Sequence, residues 1–259
     1  MLYDPGAYWS RVADEIRKRG PRNYVAGDDN PFLRYKRRKF LTSFLANIDF
    51  RSKSVLEVGC GPGGNLLHVA RAGAMRVVGA DVSTGMLSLA AQNVRDCPTV
   101  ELLQTDGCSL GLPDKSVDLT FTVTVLQHDT DPGMFARMVA EICRVTTGTI
   151  VLMEDTSQRP VHFGPESSFV ARSVGLYQAE CERHGFRLSK SEYLRTKISR
   201  AVYFRMQSFL LLSGHLEGDP YGALPIAAMK LLLPFARPFD RIFSDDGDLT
   251  KMVFTPVLH

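Results

Sequence analysis

The feature that most constrains the fold is a regular switch between two hydrophobic periods, which begins near residue 53. Short apolar runs typical of buried strands alternate there with segments whose apolar residues recur at helical spacing. The runs predict strands over residues 54–58, 75–81, 100–104, 117–126 and 149–153. The segments between them predict helices over residues 64–72, 84–95 and 132–145. Because parallel strands are joined by crossover helices that cover both faces of the sheet, this order predicts an α/β fold.

The rest of the chain surrounds this alternating core with further elements. After residue 155 the pattern predicts a loop over 158–165, a helix over 169–184, and strands over 186–193 and 252–257. An insertion at about 197–247 holds apolar helices near 202–212 and 226–235. Residues 1–52 contain helices near 8–19 and 31–46, joined across a polar turn at 27–30, and the second helix opens with Pro31.

This layout divides the chain into two parts. We expect an N-terminal helical cap of residues 1–52 and a domain of residues 53–259 that includes the insertion at about 197–247. The cap and the insertion are expected to cover the carboxyl ends of the strands, where open α/β sheets bind their ligands.

Composition and charge exclude several classes of protein. Hydrophobic residues make up 44% of the chain and charged residues 23%, as in ordinary globular domains. The net charge is +3, but residues 1–52 alone hold 11 Lys/Arg against 6 Asp/Glu, so the remainder is not basic. That balance disfavours a dedicated nucleic-acid binder. The five cysteines form no CxxC pair, and no metal site is predicted. No secretory signal or membrane-spanning run is recognised, so a cytoplasmic protein is expected.

The loop after the first predicted strand is rich in glycine. Glu57 is followed by VGCGPGG (58–64) and then by a predicted helix. Glycine lets the backbone approach a ligand closely, and a helix N-terminus offers free N–H groups to an anion. The spacing also satisfies the dinucleotide pattern GxGxxG. Asp81, twenty residues after Gly61, stands where an acidic side chain binds ribose hydroxyls in either case.

The third predicted strand adds a second carboxylate, Asp106, beside the same crevice. A carboxylate there can accept a hydrogen bond from an adenine amine, and Glu57 can orient an amino group. With these features the chain resembles the class I S-adenosylmethionine-dependent methyltransferases, and most closely their small-molecule branch of ubiquinone/menaquinone-like and type 11 enzymes. The resemblance rests on VLEVGCGPGG (55–64), VVGADVSTGMLSLA (77–90), TDG (105–107), LPDKSVDLTFTVTVLQH (112–128) and TIVLMED (149–155).

The resemblance implies a Rossmann-like, doubly wound, seven-stranded sheet with S-adenosylmethionine as cofactor and S-adenosylhomocysteine as product. The residues it places at the methionine part of the cofactor are Glu57, Gly59, Gly61, Gly63 and Thr122. The residues it places at the adenosine are Asp81 on the ribose, Val82 and Met86 beside the adenine, and Asp106 and Gly107 at the amine edge.

His128 is the candidate catalytic residue, since it follows the fourth predicted strand, where the family commonly places a catalytic or substrate-facing group. An imidazole could take the proton of a hydroxyl that attacks the methyl group. It could equally serve only to shape the cofactor pocket. Weaker candidates are Asp129, Glu154, Asp155 and His162.

These residues favour an O-methyltransferase of a specialised metabolite, sugar or lipid. The alternatives are an N-methyltransferase of a small amine, and an RNA or protein methyltransferase that uses the basic N-terminal segment. A cofactor-binding protein without catalysis is disfavoured by the intact loop and both carboxylates. The YxxxK pair of a short-chain dehydrogenase occurs at 193–197, but it also occurs at 35–39, upstream of the glycine loop, and therefore carries little weight.

Two segments bear on partners. The basic run 34–39 is read either as a solvated helix face or as a site for a phosphate-bearing or anionic-lipid substrate. The apolar run 223–239 is read as core, as a dimer surface or as a roof over a lipophilic substrate. We therefore expect a small-molecule acceptor and no nucleic acid, with peripheral membrane contact and a homodimer left open.

Overall fold

The computed structural model describes residues 4–19, 24–26, 30–163, 168–209, 221–243 and 249–257. The strands are β1 Ser54–Val58, β2 Arg76–Asp81, β3 Val100–Gln104, β4 Val117–Val123, β5 Thr146–Asp155, β6 Val161–Phe163, β7 Phe169–Ala171, β8 Phe186–Tyr193 and β9 Leu249–Pro256. The α-helices are α1 Pro5–Lys18, α2 Pro31–Ser43, α3 Gly64–Arg71, α4 Thr84–Asn93, α5 Pro132–Val145, α6 Val174–Arg183, α7 Lys197–Phe209 and α8 Ala223–Ala236.

Seven of the strands form one sheet in the order β3-β2-β1-β4-β5-β9-β8. The first five are parallel, while β9 runs antiparallel between β5 and β8. The predicted α/β fold with a doubly wound, seven-stranded sheet is confirmed. The chain moves outward from β1 in one direction to β2 and β3, and in the other to β4 and β5. The strand order therefore reverses between β1 and β4, and a ligand crevice is expected outside their carboxyl ends.

Helices cover both faces of the sheet, as the crossovers require. Leu56 and Val58 point to one face and pack in a cluster with α5 and α6, which includes Ile142 and Tyr177. Val55, the residue before Leu56, points to the other face and packs in a second cluster with residues of α2 and α3. The alternation along β1 thus divides the core into two layers.

The predicted boundaries differ from the structure in several places, chiefly where tertiary pairing decides. Strand β5 begins at Thr146 rather than at 149, β9 begins at Leu249 rather than at 252, and the predicted loop over 158–165 contains β6. Strand β4 ends at Val123, because Thr124 has a φ of 54° and residues 126–128 form a 3-10 turn. The helix predicted from residue 169 begins only at Val174, after Ser173 caps it. Residues 169–171 instead form β7, which pairs antiparallel with β6.

The N-terminal helices pack at the carboxyl ends of the strands. On α1, Ser10 Oγ lies 3.0 Å from Ser83 Oγ, the cap of α4. Helix α2 opens with Pro31 as predicted and contacts α7 and α8, with the rings of Phe32 and Tyr203 stacked at 4.6 Å. Of the predicted polar turn, residues 27–29 lie outside the described residues, as do residues 210–212 of the predicted helix 202–212. Within the described part of the chain, no helix combines the length and apolarity needed to cross a bilayer.

Candidate active site

A cavity of about 260 Å³ lies at the point where the strand order reverses. Its walls come from the segments that follow β1, β2, β3 and β4, and the N-terminal end of α1 covers it. Eight of the eleven residues predicted for the site line this cavity: Gly59, Gly61, Asp81, Val82, Met86, Asp106, Gly107 and His128. Residues 57, 63 and 122 are not among the described residues that line it.

The glycine loop takes a conformation that other residues adopt only with strain. Gly59 and Gly61 have φ values of 71° and 51°. A Cβ on Gly59 would lie 2.2 Å from Val125 Cγ2, so a side chain there would collide with the segment after β4. Gly63 has a φ of 81°, and a Cβ on it would lie 3.1 Å from Ala90 Cβ, so this glycine serves the packing of α3 against α4.

Asp81 ends β2 and ties the loop to the sheet. Its Oδ2 accepts a hydrogen bond of 2.8 Å from Gly61 N–H, and its Oδ1 accepts one of 2.9 Å from Ser83 N–H. Burial raises the pKa of this carboxyl, and the two N–H donors oppose the rise. Each oxygen can accept a further hydrogen bond. The side chain therefore suits a ligand with two neighbouring hydroxyl donors.

The segment after β3 supplies a polar edge beside apolar walls. Asp106 is exposed, and its Oδ1 accepts a hydrogen bond of 2.9 Å from Cys108 N–H. Gly107 has a φ of 81°, and a Cβ on it would lie 2.6 Å from Met138 Cε. Met86 is buried and lines the same cavity. A carboxylate next to apolar side chains fits a flat aromatic base that carries an amine.

His128 lies in the 3-10 turn after β4, between two aromatic rings. Its ring meets Trp9 edge-on at 5.0 Å and Phe169 at 5.7 Å. Its Nδ1 lies 3.1 Å from the carbonyl oxygen of Ser168, which can only accept, so Nδ1 carries the hydrogen and Nε2 the lone pair. Burial lowers the pKa of His128, which favours the neutral imidazole. The residue is therefore in the form that a general base requires.

Two predicted residues lie beneath the cavity. Glu57 Oε1 accepts a hydrogen bond of 2.7 Å from Asn65 Nδ2, while its buried Oε2 has no hydrogen-bond partner among the described residues. Burial raises the pKa of Glu57 to about 8. Thr122 is buried, and its hydroxyl donates a hydrogen bond of 2.7 Å to Glu154 Oε1.

Glu154 holds the turn that positions His128. Its Oε2 accepts hydrogen bonds from Val125 N–H at 3.0 Å and from Gln127 N–H at 3.3 Å. Burial raises the pKa of this carboxyl to about 7. From the sequence Glu154 is only a weaker candidate, because its position at the end of a strand does not reveal which loop its side chain contacts.

Other lining residues were missed by sequence reasoning. Asp4 and Trp9 reach the cavity from α1, and the sequence carries no signal for a contact over so long a separation. Asp129, a weaker candidate, also lines the cavity, and burial raises its pKa to about 6. No lysine or arginine is among the described lining residues, whereas four aspartates are: Asp4, Asp81, Asp106 and Asp129. The potential of the cavity therefore favours a cationic ligand.

Comparison with known proteins identifies relatives of the segment that builds this cavity. Residues 55–148 match the family model described as "Methyltransferase domain". A protein of Mycobacterium tuberculosis, named "Probable S-adenosylmethionine-dependent methyltransferase", is 36% identical over 115 residues, which are 44% of this chain and 39% of that protein. The chain spans between about 30% and 40% of the length of this protein and of another curated relative, from Streptomyces fradiae.

Solved structures show the same fold over almost the whole chain. The [4+2]-cyclase SpnF has a TM-score of 0.67 at 19% identity and covers 98% of this chain and 96% of its own. Magnesium protoporphyrin IX methyltransferase of Synechocystis, solved with bound S-adenosylmethionine, has a TM-score of 0.61 at 14% identity and covers 97% of this chain and 94% of its own. The dinucleotide interpretation of the glycine loop is thereby set aside. Residues 55–148 therefore carry a methyltransferase domain, and the relatives support the class I S-adenosylmethionine-dependent type that the sequence predicted, with S-adenosylmethionine as its cofactor.

Proposed function

We propose that this protein transfers a methyl group from S-adenosylmethionine to a hydroxyl group of a small molecule. The observation that carries the proposal is the placement of His128, whose Nε2 holds the lone pair, at the same cavity as the carboxylates that suit the cofactor. The cofactor supplies a methyl group on a sulfonium centre, which is reactive toward a nucleophile held in line with it.

The cavity fits this cofactor on three counts. Asp81 offers two carboxylate oxygens to the vicinal ribose hydroxyls, and Asp106 offers an acceptor to the adenine amine beside Met86. The lining aspartates suit a ligand with a positive charge. The buried Glu57 Oε2, which has no partner among the described residues, is an acceptor that the methionine ammonium would satisfy.

The acceptor side of the cavity is aromatic. Trp9 and His128 form its wall, with Phe169 packed behind the histidine. In the proposed reaction His128 Nε2 takes the proton of the acceptor hydroxyl as its oxygen attacks, while Nδ1–H stays bonded to the Ser168 carbonyl. The carboxylate of Asp155 favours the protonated imidazole and would stabilise the new imidazolium.

A second candidate is methylation of a small amine. Asp129 favours it, because a carboxylate at the acceptor side can pair with an ammonium group before the amine loses its proton. The RNA or protein alternative has less support from the basic run 34–39. Lys36 lies 3.5 Å from Asp155, and Lys39 donates to the carbonyl oxygen of Arg195, so these side chains have partners within the chain.

The division of the chain is part of the proposal. Residues 1–52 act as a cap, since α1 covers the cavity, and the insertion at about 197–247 extends this cap through the contacts of α2 with α7 and α8. Tyr35 of α2 donates a hydrogen bond of 2.9 Å to Asp240 in the insertion, which joins the two parts.

The first test is calorimetric titration with S-adenosylmethionine, S-adenosylhomocysteine and NAD. We expect both adenosyl ligands to bind and NAD not to bind. Asp81→Asn is expected to weaken adenosyl binding, while the exposed control Asp96→Asn is expected to bind as the parent does. Failure to bind either adenosyl ligand, or preference for NAD, would overturn the proposal.

The second test is an acceptor screen read by mass spectrometry. We expect a hydroxyl compound to gain one methyl group with formation of an equal amount of S-adenosylhomocysteine. His128→Ala is expected to lower kcat by about 10²-fold or more if the residue is the base. A compound converted to an isomer without methyl gain would instead indicate chemistry such as that of the [4+2]-cyclase, whose fold this chain shares.

A further inference from the structure

Helix α8 is apolar on both faces. One stripe, Pro225, Met229, Leu233 and Ala236, is buried against the rest of the chain. The opposite stripe is exposed: Leu224 keeps 68% of its surface accessible, Leu231 67% and Phe235 72%. A helix that is hydrophobic all round is normally buried all round. The outer stripe of α8 therefore has the composition of a contact surface.

The exposed surface continues beyond the end of the helix. Phe239, Ile242 and Phe243 follow Pro238 and are exposed by 50%, 72% and 49%. Together with the helix they form what we term the α8 face, which consists of Leu224, Leu231, Leu232, Phe235, Phe239, Ile242 and Phe243. Large exposed apolar residues that cluster in this way mark a site of interaction with a partner or a membrane.

The exposed charge on the described part of the insertion has one sign. The described residues of the insertion, 197–209 and 221–243, include six basic residues: Lys197, Arg200, Arg205, Lys230, Arg237 and Arg241. The acidic residue in these ranges is Asp240, which is fully buried and accepts hydrogen bonds from Ile198 N–H at 2.8 Å and Ser199 N–H at 3.0 Å. Residues 210–220, with one glutamate and one aspartate in their sequence, and residues 244–248, with three aspartates, lie outside the described residues. The exposed charged side chains on α8 and the turn after it, Lys230 and Arg241, are therefore both cationic, and we term them the rim of the face.

We propose that the α8 face docks on the surface of an anionic lipid bilayer. Helix α8 has 14 residues and is about 21 Å long at 1.5 Å per residue, which suits a helix lying along the interface. Its phenylalanine and leucine side chains would enter the boundary between headgroups and acyl chains, while Lys230 and Arg241 lie at the level of the lipid phosphates.

A second copy of the chain fits this surface less well. A two-fold contact would place the same patch against itself, so that the cationic rims of both copies would face each other. Lipid phosphates complement the rim instead. The inference goes beyond the proposed methyl transfer, because docking requires neither the cofactor nor the acceptor.

Vesicle flotation tests the proposal with the full chain. We expect the protein to float with phosphatidylcholine vesicles that contain phosphatidylglycerol, and to float less with pure phosphatidylcholine or at high salt. Leu231→Glu/Phe235→Glu is expected to weaken binding to the anionic vesicles by at least ~10-fold, because two inserted side chains are lost. Lys230→Glu/Arg241→Glu is expected to reduce binding and its salt dependence.

The control is Met75→Glu, which changes a side chain that is 64% exposed and directly precedes β2, at the amino end of that strand. It is expected to float as the parent does. Circular dichroism and S-adenosylmethionine titration establish that each variant is folded. Failure of the parent to float, or floating of Leu231→Glu/Phe235→Glu as well as the parent, overturns the proposal. A parent that does not float but sediments as a dimer, and becomes monomeric in that variant, would overturn it in favour of a subunit interface.

Discussion

Glu154→Gln tests the effect of the buried carboxyl that holds the turn around His128. Glutamine keeps the shape of the side chain but cannot ionise. Its carbonyl oxygen can accept from Val125 N–H and Gln127 N–H, and its amide can donate to Thr122 Oγ1, whose hydroxyl can rotate. The substitution therefore removes the titration of residue 154 while its hydrogen bonds can still form.

The expected effect follows from the raised pKa. Burial raises the pKa of Glu154 from 4.5 to about 7, so the folded state holds the proton more tightly than the unfolded state. The stability from this group is fully present below pH 4.5 and is lost as the pH rises through about 7. Between pH 5 and pH 8 the loss is about 2 to 3 kcal/mol, at about 1.4 kcal/mol per pKa unit. Glu57, with its pKa raised to about 8, contributes a loss in the same direction.

Urea unfolding at pH 5, 6, 7 and 8 measures this difference. The free energy of unfolding of Glu154→Gln, relative to the parent, is expected to rise by about 2 to 3 kcal/mol from pH 5 to pH 8. Glu182→Gln, at an exposed glutamate of α6, is the matched control and is expected to show no such trend. A difference between Glu154→Gln and parent that is constant across the four pH values would refute a raised pKa at this position.

Three further predictions concern the scaffold around the cavity. Gly59→Ala should lower the free energy of unfolding by about 1–3 kcal/mol and weaken cofactor binding, because the added Cβ would collide with Val125. Adding Val125→Ala should restore part of the stability in thermal unfolding, and no recovery would contradict the clash. Asp131→Ala should lower the free energy of unfolding in urea by about 1 kcal/mol, because Asp131 Oδ1 caps α5. Asp131→Asn should retain the cap, and equal losses in the two variants would disprove the capping role. Arg172→Met should lower the free energy of unfolding in urea by about 1–3 kcal/mol, because Arg172 Nη1 donates a hydrogen bond of 2.7 Å to the Leu126 carbonyl oxygen. A variant as stable as the parent would show that water can take the place of this hydrogen bond.

Local sequence patterns predicted much of the framework. The bounds of β1, β3, β8 and α5 are those that hydrophobic period and capping predicted. Ser83 and Asp131 cap α4 and α5 as expected, each accepting from the backbone N–H three residues later. These signals are local because a cap and a helical face depend only on neighbouring residues.

Short pairings and long-range contacts were beyond the reach of such patterns. Strand β7 has three residues and exists because it pairs with β6, so no period could reveal it. Thr122, which is predicted at the cofactor, donates its hydroxyl hydrogen bond to Glu154, and this contact exists because β4 and β5 are neighbours in the sheet. The approach of Trp9 to His128 depends on how α1 packs on α4.

The sequence by itself determined the α/β fold, the glycine loop and the spacing of Asp81 and Asp106, because these follow from periodicity and from the backbone freedom of glycine. Only the tertiary structure decided which residues close the cavity, which nitrogen of His128 keeps its lone pair, and which stripe of α8 is exposed. Those features depend on segments that are distant in the chain and meet in space. The sequence of α8 is apolar on all its faces, so it does not reveal which face is buried.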